Sequence, residues 1–123
     1  VTVVGIDHVQ LAAPPGCEAA ARHFFGELLG LTELPKPAAL SGRGGVWFAL
    51  GDEQLHIGVQ DPFAPATKAH PALRVTPDGL DALADRLGTA GFPVLWDDAL
   101  ADARRFHTED PWGNRIELLC DRP

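Results

Sequence analysis

Residues 114–121, "NRIELLCD", read as a buried strand interrupted by a carboxylate. By the two-residue period of a strand, Ile116, Leu118 and Cys120 share one face, and Glu117 shares the other with Arg115 and Leu119. A carboxylate there is costly unless something positive meets it.

Working back along the chain, His56 stands 61 residues before Glu117, in the strand-like run "EQLHIGVQ" (53–60). Its neighbours Leu55, Ile57 and Val59 form an apolar face, with Gln54, His56, Gly58 and Gln60 opposite. Two other landmarks repeat at nearly the same spacing. Gly30 and Gly91, each placed to stop a helix, are 61 residues apart, and His8 and His70 are 62 apart. Three landmarks at almost one offset predict an internal duplication.

Each half then reads as β-α-β-β-β. The first has "VVGIDHVQLAAPP" (3–15) as a strand and "GCEAAARHFFGELLG" (16–30) as a helix with Ala21, Phe24, Phe25, Leu28 and Leu29 at helical spacing. "LTEL" (31–34), "GGVWFALG" (44–51) and "EQLHIGVQ" follow as strands. After a Pro- and Ala-rich linker, "DPFAPATKA" (61–69), the second half has the strand "HPALRV" (70–75) and the helix "TPDGLDALADRLGTAG" (76–91). Thr76 or Asp78 is placed to cap that helix, and Leu80, Leu83, Ala84 and Leu87 form its apolar face. "FPVLW", "ARRFHTE" and "NRIELLC" complete it. The loop "LPKPAALSGRGG" (34–45) is a candidate lid.

Alternation places His8, His56, His70 and Glu117 on the polar faces at repeat-equivalent positions. If the two sheets curl together these groups converge. Three imidazoles and a carboxylate are a mixed N/O set suited to one divalent metal ion, Zn, Ni, Fe, Co or Mn. Such an ion would offset the cost of Glu117. His23, within the first helix, has no repeat partner and reads as solvent-facing.

Composition bounds the rest. The 123 residues suit one domain, with 46% hydrophobic and 22% charged residues as in ordinary globular proteins. A net charge of −7 argues against nucleic acid, and no apolar run or leader suggests a membrane or export, so the expected location is cytoplasmic. Cys17 and Cys120 lack metal or redox spacing and read as small apolar side chains.

Three stretches, "IDHVQLAAPP" (6–15), "FFGELLGLTEL" (24–34) and "EDPWGNRIELL" (109–119), resemble the vicinal oxygen chelate superfamily of glyoxalases, bleomycin resistance proteins and extradiol dioxygenases. The resemblance spans essentially the whole chain. It implies an α+β fold: two βαβββ modules, 1–61 and 62–123, forming an eight-stranded cupped mixed sheet with helices on the outer face of one glyoxalase-like domain. It also implies a homodimer. On the family pattern His8, His56, His70 and Glu117 fall at the metal-ligand positions. The chain departs from the pattern in having Ala12 where bacterial glyoxalase I enzymes carry an arginine, His56 where they use a glutamate, and no tyrosine for a dioxygenase site.

The function these readings imply is a metal-dependent enzyme, a lyase, isomerase or dioxygenase, acting on a small molecule chelated through vicinal oxygens. The ion would act as Lewis acid. His107, in "RRFHTEDP" (104–111), and Glu117 are the candidate proton-transfer groups. Gln10, Trp47, Arg74, Arg105 and Phe106 are candidate substrate contacts. The alternative is a metal-free protein that sequesters a toxic or antibiotic ligand.

Overall fold

In a computed structural model the chain is described over residues 2–123; residue 1, at which the first predicted module begins, lies outside them. It divides into two compact units, one ending at Ala64 and the other running from Pro65 to Pro123. The fold is α+β, two βαβββ-like modules with one four-stranded mixed sheet in each.

In the first unit, β1 (His8–Ala13) is followed by a short helix α1 (Glu18–Ala21), which continues as a π-helical stretch, Arg22–Leu28. Then come β2 (Glu33–Leu34), a 3-10 turn at Ala38–Arg43, β3 (Val46–Leu50) and β4 (Glu53–Val59). The sheet order is β1-β4-β3-β2, with β1 parallel to β4 and the other pairs antiparallel. Phe24, Phe25 and Leu28 of the helical segment are buried, as are Phe48, Leu55 and Ile57 of the sheet. Phe25 meets Phe48 with ring centroids 5.8 Å apart.

The second unit repeats the plan. It contains β5 (Ala72–Arg74), α2 (Leu80–Thr89), β6 (Leu95–Asp97), β7 (Ala103–Glu109) and β8 (Arg115–Asp121), in the order β5-β8-β7-β6. All four apolar positions predicted for α2 are buried, and Phe106, Ile116, Leu118 and Cys120 are buried with them. Gly30 and Gly91 have φ of 78° and 92°, the left-handed conformation that ends a helix at little cost only for glycine.

Several local expectations change. β5 starts at Ala72, so His70 precedes the strand instead of lying within it. Pro71, which has no N–H to donate, delays regular pairing there. The α2 N-cap is Gly79, with no side-chain cap bond, and neither Thr76 nor Asp78 fills that role. The 34–45 loop is partly ordered: it contains the 3-10 turn, and Lys36 Nζ donates to the Gly44 carbonyl at 2.6 Å. Both cysteines are buried and unbridged, and burial pushes the Cys17 thiol pKa up, against a reactive thiolate. Among the described residues no helix is long and apolar enough to cross a membrane.

Candidate metal centre

Glu117 sits in the middle of β8 with only 5% of its surface exposed. Antiparallel pairing places it directly opposite His107 of β7, so the two side chains share a face. Parallel pairing places Ala72 on its other side, and the Glu117 N–H donates to the Pro71 carbonyl at 3.0 Å. That backbone bond brings His70, the residue before Pro71, beside the carboxylate.

Three nitrogens surround one carboxylate oxygen. Oε1 of Glu117 lies 3.1 Å from His70 Nε2, 3.2 Å from His107 Nε2 and 3.3 Å from Arg105 Nη1. His70 Nδ1 is 2.9 Å from the Lys68 carbonyl oxygen. A carbonyl only accepts, so Nδ1 carries a proton; Nε2 then donates to Glu117 when His70 holds a second proton, and turns a lone pair toward the carboxylate when His70 is neutral. A proton or a metal ion resolves that opposition. The Nδ1–H to carbonyl bond is also the kind of contact that orients a metal-binding imidazole.

Burial pushes the Glu117 carboxyl up, but bonds from His70 and Arg105 and the charges of Arg105 and His107 outweigh it, and its pKa ends below the ordinary value. Burial, then the Arg115 charge, lowers the His107 pKa against the opposing pull of Glu117. A carboxylate and a neutral imidazole are the forms that ligate metal.

His70, His107 and Glu117 are accordingly a candidate metal site: one ligand atom from each lies within 4.8 Å of the others. The spacings to Oε1 match those of adjacent ligands on one ion, about 3 Å for bonds near 2.1 Å. Two imidazoles and a carboxylate fit a divalent transition metal and leave coordination positions for a substrate.

His8 and His56 belong to the first unit, where they stack with centroids 4.3 Å apart. Trp47 stacks on the other side of His56 at 3.9 Å, nearly parallel. Register places Gln10 and Trp47 on either side of His56, so all three share one face. His56 Nε2–H donates to Gln54 Oε1 at 2.8 Å, and His8 Nδ1–H donates to Asp7 at 2.9 Å. The Gln10 amide lies against the backbone of Gly58, where a Cβ would meet it at 2.5 Å.

In the second unit Arg105 joins the Glu117 cluster, and Arg74 pairs with Asp121 at 2.9 Å on the outer part of the same face. Phe106 lies on the opposite face, fully buried beside Leu118 and Trp96. Its place in the core corrects its reading as a substrate contact, because alternation turns it away from His107. His23 is exposed and pairs with Glu27, as a solvent-facing residue should.

His107 was a base candidate in the sequence; its position opposite Glu117 makes it a ligand candidate. Alternation put it on the face of Arg105, but pairing with Glu117 depends on the β7–β8 hairpin, which periodicity does not fix.

Duplicated βαβββ-like modules with a candidate His-His-Glu metal site define a class of small α+β proteins. No family model and no curated protein matches the sequence. Solved structures do match. A glyoxalase family protein from Bacillus anthracis is 47% identical, with 99% of this chain and 98% of that one covered and a TM-score of 0.93. The chain therefore belongs to the glyoxalase/dioxygenase superfamily, as its sequence motifs suggested. A glyoxalase/dioxygenase from Nostoc punctiforme shares 23% identity over 97% and 92% of the two chains, TM-score 0.79. A variant of the fosfomycin resistance protein of Listeria monocytogenes, complexed with Mn(II) and dihydroxypropylphosphonic acid, shares the fold at 15% identity, with 98% and 95% covered and a TM-score of 0.81.

Proposed function

We propose that the protein is a metal-dependent enzyme acting on a small molecule that chelates the ion through two neighbouring oxygens. The observation that carries this reading is the opposition of His70 Nε2 and Glu117 Oε1, with His107 Nε2 alongside. Two imidazole nitrogens and a carboxylate oxygen turned toward one another offer a divalent ion three ligand atoms at once. Mn(II) binding by the Listeria fosfomycin resistance protein supports a transition metal in this fold.

His70, His107 and Glu117 would hold the ion in the second module, and His8 and His56 stand as the candidate ligands of the first. When bound, the ion supplies Lewis acidity toward a substrate oxygen. Among the described residues nitrogens contact only Oε1 of Glu117, which leaves Oε2 to take up a proton from the substrate. His107 turns Nε2 toward Glu117, which favours its role as a ligand over its role as a base. Gln10 and Trp47 beside His56, and Arg105 and Arg74 beside Glu117, are the proposed substrate contacts. The working unit is proposed to be a homodimer in the cytoplasm.

The test is elemental analysis of protein purified without chelator, beside a Glu117→Gln variant. Near-stoichiometric metal in the parent and its loss in the variant are expected. A parent that takes up no Zn, Ni, Fe(II), Co or Mn on incubation would overturn the reading in favour of metal-free ligand sequestration.

A further inference from the structure

Arg105 stands in an unusual relation to the Glu117 cluster. Its Nη1 donates to Glu117 Oε1 at 3.3 Å, the same oxygen that both imidazoles face, and its Nη2 donates to Asp97 Oδ2 at 3.0 Å. The guanidinium is largely buried, yet its Nε has no hydrogen-bond partner among the described residues. Asp97 is itself fixed, because its Oδ1 accepts from the Ala99 N–H at 2.9 Å. Arg105 is thus suspended between two carboxylates by one bond to each.

Oε1 has three nitrogens within 3.3 Å. Of these only the Arg105 guanidinium carries a fixed positive charge, which an ion at Oε1 would meet at close range. His70 and His107 face Oε1 as ligands themselves, so the group that the ion's charge drives away is Arg105. Asp97 remains to hold it. Beside it is a cavity of about 330 Å³, lined by Trp96, Asp97, Asp98, Arg104, Arg105 and Arg122, with room for the guanidinium to turn.

We propose that Arg105 is a displaceable counter-cation of the metal centre: it neutralises Glu117 before the ion binds, competes with the ion for Oε1, and retreats to Asp97 when the ion arrives. This inference rests on the metal reading above and adds a control on affinity. Arg105 is here a positioning residue that lowers metal affinity, and Asp97 favours the metal-bound state by drawing Arg105 away.

The experiment is calorimetric titration of the apo protein with Mn(II) and Zn(II), for the parent, Arg105→Met, Asp97→Asn and the double variant. Arg105→Met should bind at least about tenfold tighter, the size expected even under near-aqueous screening when a unit positive charge about 6 Å from a divalent ion is removed. Asp97→Asn should bind more weakly, and that loss should largely vanish in the Arg105→Met background, which separates loss of the anchor from loss of a negative charge. Equal or weaker binding by Arg105→Met overturns the proposal, as does an undiminished Asp97→Asn effect in the double variant. Should Arg105→Met fail to fold, unchanged or tighter binding by Asp97→Asn overturns it alone. A parent that loads no ion overturns the metal reading and this inference together; a parent that loads while Arg105→Met is no tighter overturns this inference only.

Discussion

Asp110 grips Asn114 twice: Oδ1 accepts the Asn114 backbone N–H at 2.9 Å, and Oδ2 accepts its side-chain Nδ2–H at 2.8 Å. Both residues are buried, and Oδ1 also accepts the Trp112 N–H. This clasp closes the β7–β8 hairpin and so sets the register that places Glu117 opposite His107. Asn114 reaches further, its Oδ1 accepting the Ala66 N–H at 3.2 Å, which ties down the segment that leads to His70. The sequence "DPWGN" thus builds the site from outside it.

Asp110→Ala should therefore be costly. It removes the acceptor of two buried donors and one part-buried donor, for a loss of about 3 kcal/mol. Urea denaturation of the variant checks this. A loss within experimental error of zero would show that the hairpin holds its register without the clasp.

His107 and His23 provide a matched pair. His107→Ala removes a buried ligand candidate and should weaken metal binding by about a hundredfold or more, while His23→Ala, on an exposed helix, should leave it unchanged. Calorimetric titration of both variants against the parent decides it. Equal affinities would remove His107 from the ligand set.

Stability should fall as the solution is acidified through the histidine range. Burial, and then the charge of His8, depress the His56 pKa in the fold. The unfolded chain therefore takes up that proton first. Stability from this group is complete above the unfolded value of about 6.5 and declines as pH falls from there toward the folded value. His107 is depressed too and adds to the slope. His56→Gln should flatten the dependence of the urea midpoint on pH between about 7.5 and 5.5. A variant with the parent's slope would refute the assignment.

Gly45 should resist substitution. Its φ is 84°, and an added Cβ would collide with the Ile57 carbonyl. Its N–H donates to Glu18 at 2.7 Å, joining the loop to the start of α1. Gly45→Ala should cost at least about 2 kcal/mol, read from thermal or chemical unfolding.

The repeat, the two helices and most strands were legible because apolar period and glycine stops are local properties of the chain. Gly30, Gly91 and the α2 stripe Leu80-Leu83-Ala84-Leu87 needed no knowledge of neighbours. The π-helical turn at Arg22–Leu28 left no trace in the pattern, because its apolar residues suit an α-helix equally well.

The sequence by itself determined that Glu117 lies on a polar strand face, and that His70 recurs at the spacing of His8. It could not determine what stands opposite Glu117, because register is settled between strands. The Asp110–Asn114 clasp and the Pro71 backbone bond decided that His107, His70 and Arg105 meet at one oxygen. Period sorts side chains onto faces; only the hydrogen bonds of the folded sheet decide which residues on a face become neighbours.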